Sequence, residues 1–117
     1  MDEMELLASE ASTLCKDAIV YAEHASQAES VGDAKTALKR AIHVCEEIRD
    51  RLEEALDFAE AELHQVSIED ALIHVDDAID EGMLALQDGD VSGYIRGMRY
   101  EISESLAHID SLIPAEA

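Results

Sequence analysis

The chain has 117 residues, with 28 Asp and Glu against 8 Lys and Arg, a net charge of -20 and an isoelectric point near 4.2. A hydrophobic content of 48% is too high for a disordered acidic tail, so one folded domain spanning 1–117 is expected. Eight cations and 3% aromatic residues argue against a nucleic-acid-binding surface, stacked or electrostatic, and against a polybasic contact with anionic lipid.

Met4, Leu7, Ala11, Leu14, Ala18, Tyr21, Ala25 and Ala28 recur at steps of three and four, which predicts a helix over about 3–30. Gly32 is read as its stop and Asp33 as the cap of a second helix over 34–66. That helix carries a seam of Leu38, Ala41, Ile42, Cys45, Ile48, Leu52, Ala55, Leu56, Ala59, Leu63 and Val66. Ser67 followed by Asp70 resembles a capping box and opens a third helix over 68–87, with Ile68, Ala71, Leu72, Val75, Ala78, Ile79, Met83 and Leu86 inward. After Asp88-Gly89-Asp90 a fourth helix over 92–113 buries Ile95, Met98, Ile102, Leu106, Ile109, Leu112 and Ile113 before Pro114.

Short connections between four amphipathic stripes predict an all-α fold, an antiparallel up-down-up-down four-helix bundle. The alternative joins the second and third segments into one helix and needs a second copy to cover its apolar face. In the bundle the first hairpin outreaches the second by about 12 Å. The tip then exposes Ala22, Ala25, Ala28, Ala34, Ala37 and Ala41, which predicts a homodimer through this Ala-rich end.

The acidic start, Met1 to Glu5, and the lack of any apolar run near ~18 residues predict a cytoplasmic protein with neither leader nor anchor. Cys15 and Cys45 read as reduced core thiols, because neither has a basic, exposed setting that would make a nucleophile.

Asp88, Asp90, Ser92, Gly93 and Ile95 resemble the start of an EF-hand calcium loop, but Arg99 stands where that family places a bidentate Glu. The turn is therefore read as a helix connection. The five histidines lack the Glu-x-x-His spacing of di-iron bundles and the His-x-x-Lys-Gly pattern of phosphotransfer bundles. Asp70–His74, Glu60–His64 and Glu104–His108 are read instead as helix-surface pairs four residues apart. No catalytic residue, metal or cofactor is assigned, and the expected protein is not an enzyme.

The charge is unevenly placed. No Lys or Arg lies between Arg51 and Arg96, whereas Glu53, Glu54, Asp57, Glu60, Glu62, Glu69, Asp70, Asp76, Asp77, Asp80 and Glu81 all fall there. These eleven are the expected partner-binding residues, forming a nearly pure anionic side for a basic protein. In charge and size the chain resembles acidic nucleic-acid mimics, phage-type inhibitors of restriction or CRISPR complexes that fill the basic groove of a DNA- or RNA-binding protein. The alternatives are an acidic adaptor or chaperone, a halophilic structural bundle, and a metal-binding bundle.

Overall fold

In a computed structural model, which describes residues 1–88 and 91–114, the chain folds into four helices: α1 (Glu3–Gln27), α2 (Val31–Phe58), α3 (Glu62–Gln87) and α4 (Val91–Asp110). Asp2 starts α1 with a reciprocal capping box: its carboxylate accepts from the Glu5 amide at 2.8 Å, and its own amide donates to the Glu5 side chain at 3.2 Å. Ser30, not Asp33, caps α2 by accepting from the Asp33 amide at 3.1 Å. Gly32 lies inside the first turn of α2, and α1 ends at Ala28 in extended backbone, so the predicted glycine stop is replaced by a serine start.

The second boundary also moves. Phe58 ends α2, Ala59–Ala61 form the turn, and the predicted Ser67 start falls within α3. The Ala59 amide donates to the Leu56 carbonyl at 3.2 Å, and Gln65 donates its side-chain amide to the Ala59 carbonyl at 2.9 Å, so both polar groups of Ala59 are satisfied without a glycine, while Ala61 supplies no capping side chain to α3. Leu63 and Val66, expected in the core of the second helix, are exposed on α3 instead. The transfer lengthens α3 to 26 residues, leaving only α4, with 20, shorter than the first pair.

Each helix packs against two neighbours in a ring, α1 with α2 and α4, and α3 with α2 and α4. Side-chain contacts bridge these neighbours: Glu10 meets Arg51, Glu23 meets Arg99, Ser12 meets Asp110, and Ser105 donates to the Ala71 carbonyl. The bundle measures 45 × 25 × 17 Å, a length close to the ~42 Å of a 28-residue helix.

Core side chains differ in size by helix. α2 and α4 supply Leu38, Ile48, Leu52, Ile95, Met98, Ile102 and Ile109, whereas α1 supplies mainly Ala8, Ala11, Ala18, Ala22 and Ala25. On α3 the seam runs Ile68, Ala71, Val75, Ala78, Gly82 and Ala85 and leaves Met83 outside, contrary to the predicted stripe. Gly82 sits at a tight approach: a Cβ there would stand 2.8 Å from Ile42 Cγ1 and 3.2 Å from Met98 Sδ. Large side chains of two helices thus fill the space left by small ones on their neighbours.

The Ala-rich tip is largely covered within the chain. Ala22, Ala25, Ala34 and Ala41 are buried, Ala28 and Ala37 are half-buried, and Ser92 and Ile95 of α4 line the same groove as the 25–34 turn. No described helix is long and apolar enough to cross a membrane. The calcium-loop resemblance includes residues 89 and 90, which lie outside the described residues.

Candidate functional site

α3 bears seven carboxylates and no Lys or Arg. Helical spacing arranges all seven in two rows. Glu62, Glu69, Asp76 and Asp80 lie along the outer face, while Asp70, Asp77 and Glu81 run on the side toward α4, where the Glu81 carboxylate lies against Gly97. Glu53, Glu54 and Asp57 extend from the last turns of α2 and Glu60 from the following turn, all exposed. Of the eleven predicted residues, nine are exposed and only Asp70 and Glu81 are half-buried.

The cations of the other helices are mostly directed away from α3. Arg51 pairs with Glu10 at 3.0 Å and Arg99 with Glu23 at 2.9 Å, both on α1. Arg49 alone reaches an α3 carboxylate among the described residues, Asp76 at 3.5 Å, and it shares its guanidinium with Glu46. Among the described residues, most of the eleven therefore have no Lys or Arg within ion-pair distance. Lys39 and Arg40 line a separate shallow groove with Tyr21 and His43, where the Arg40 guanidinium lies 6.0 Å above the Tyr21 ring.

The face is not a pure anion surface. Val66, Ile73 and Met83 are exposed along the row that holds Glu62, Glu69, Asp76 and Asp80, with Leu63 and Leu84 beside it. Ile73 is 58% exposed. The predicted helical seams do not reveal this pairing of acids with aliphatic groups, because they place Leu63, Val66 and Met83 inward. Phase would have shown it: continued from Ala59, the α2 seam passes through 63, 66 and 70, whereas the buried residues that follow are Ile68, Ala71 and Val75.

Near the α2–α3 turn, an open groove of about 460 Å³ is lined by Asp2, Glu3, Met4, Phe58, Glu60, Ala61 and His64. Both thiols are buried, and burial is the main cause that pushes Cys15 and Cys45 up to about 12, so neither is an available nucleophile at neutral pH. Their neighbours add to the shift: Cys45 acts on Cys15, and Glu46 acts on Cys45.

His74 does not pair with Asp70 as its spacing suggested. Its Nδ1 lies 2.6 Å from Oε2 of Glu101 on α4, and its ring stacks on that of His108, with centroids 5.6 Å apart and planes 14° from parallel. His43 instead pairs with Glu47 at 3.1 Å, far out in solvent. Compared with known protein families, curated proteins and solved structures, the chain gives no match.

Proposed function

We propose that the protein is a non-catalytic, up-down-up-down acidic bundle that docks on a basic protein through the outer face of α3. The cross-helix pairs from Glu10–Arg51 to Ser105–Ala71 support the alternating topology. The observation that carries the docking reading is the exposed row in which Glu62, Glu69, Asp76 and Asp80 are interspersed with Val66, Ile73 and Met83, on a helix with no cation of its own. Like charges held together destabilise the free protein, and a cationic partner relieves that repulsion. The aliphatic groups add apolar area that water would otherwise cover.

Charge density distinguishes among partners. Seven carboxylates over the 26 residues of α3 give about one charge per 6 Å of helix, against one per ~1.7 Å along duplex DNA. This favours a basic surface with apolar residues between its cations over a groove shaped for duplex phosphates alone. A nucleic-acid-binding protein remains a candidate target through such a surface, and an adaptor role would use the same face.

Fluorescence anisotropy with two labelled peptides of equal charge, one oligolysine and one helical repeat of Lys and Leu, tests the reading. The Lys/Leu peptide is expected to bind more tightly, to weaken steeply with added salt, and to lose at least tenfold affinity for both the E62K/E69K/D80K variant and I73S. Equal binding of the two peptides, or undiminished binding to the triple variant, would overturn it.

A further inference from the structure

Where α3 faces α4, one imidazole and two carboxylates converge outside the outer acidic row. His74 Nδ1, a carboxylate oxygen of Asp77 and one of Glu101 all lie within 4.8 Å of one another. Helix geometry explains the meeting: residues 74 and 77 are three apart and share a face, and Glu101 comes opposite them from α4. The side chains of His74 and Glu101 are 28% and 21% exposed, sheltered by the helices yet open to an entering ion. The parallel ring of His108 holds the His74 imidazole in one plane and places a second imidazole beside the cluster.

We propose that His74, Asp77 and Glu101 form a binding site for a divalent transition ion of the zinc class, clamping α3 to α4. Zinc bonds of about 2.0–2.1 Å set tetrahedral donors roughly 3.3 Å apart. The donors are already within 4.8 Å, so an ion needs only to open the 2.6 Å contact between His74 and Glu101 and draw the Asp77 carboxylate inward. The ion takes the place of the hydrogen that bridges imidazole and carboxylate. A neutral imidazole with two carboxylates suits zinc, nickel or cobalt, whereas calcium and magnesium prefer all-oxygen shells. Three protein donors leave a coordination position for water. The net charge of -20 lowers the cost of bringing a dication to this groove.

Calorimetric titration of the chelator-stripped full chain with zinc chloride, with magnesium chloride as the comparison ion, tests the site. One equivalent of zinc is expected, with magnesium giving no comparable heat. Affinity is expected to fall at least tenfold in H74Q and E101Q and to be unchanged in H43Q, which removes the exposed His43–Glu47 pair. NMR of the unmodified protein gives a readout that needs no variant to fold: zinc should perturb the His74 ring resonances before those of His43. Binding unaltered in H74Q and E101Q, a His74 ring that zinc leaves unmoved, or the absence of zinc heat would overturn the proposal.

Discussion

Gly82 and Gly97 are both helical glycines near another side chain, yet they differ in what a methyl group would strike. At Gly82 the obstacle is Ile42 Cγ1, near the stiff root of a β-branched side chain, with Met98 Sδ behind it. At Gly97 it is the carboxyl end of Glu81, 3.1 Å away, which can swing toward water. Gly82→Ala therefore overpacks the α2–α3 contact, and a net loss of about 1–2 kcal/mol is expected after the helix-propensity gain, measured by urea unfolding. Gly97→Ala is expected to be neutral or to gain up to ~1 kcal/mol in the same assay.

The buried thiols give a pH dependence of definite sign. In the folded state Cys15 and Cys45 hold their protons up to about 12, while the unfolded chain releases them near the ordinary thiol value of 9.0. Below pH 9 both states bind the proton and the full stabilisation is present. Between pH 9 and 12 the native state binds more protons, so stability falls as pH rises. The slope is about 1.4 kcal/mol per pH unit for each thiol. Comparing alkaline unfolding of the wild type with Cys15→Ala/Cys45→Ala should show a shallower slope in the variant.

Among the helices, the all-helical fold and much of the core were legible because each seam repeats at the helical period and inward residues such as Leu38, Ile48, Ile68 and Ile102 lie on it. The α2–α3 boundary was not, because Ala59-Glu60-Ala61 contains no punctuating residue and Ser67 imitates a cap within α3. The Ala59 carbonyl there is met by the side chain of Gln65, six residues on, a spacing outside the usual capping patterns. Giving α3 the cap it lacks should therefore help: Ala61→Ser is expected to raise stability by about 1 kcal/mol, read from the urea midpoint at constant m-value. No change would mean that the N-terminal amides of α3 already have good partners.

The cross-helix cluster was also beyond the sequence. Its members are 27 positions apart at His74 and Glu101, and they meet only once α4 packs against α3. By contrast, the cation-free stretch between Arg51 and Arg96 was visible in the sequence, although its interspersed aliphatic residues were not.

For the whole molecule, charge and packing divide the bundle. Arg51 and Arg99 tie α2 and α4 to the carboxylates of α1, while among the described residues the outer row of α3 keeps only the Arg49–Asp76 pair. The result is an asymmetric particle, and the proposed docking role rests on that asymmetry rather than on net charge alone. The most direct measurement is an NMR titration of isotopically labelled protein with the helical Lys/Leu peptide. Backbone shifts confined to residues 62–84, with side-chain methyl shifts at Val66, Ile73 and Met83, are the predicted result. Shifts spread evenly over all four helices, or centred on α1, would contradict it.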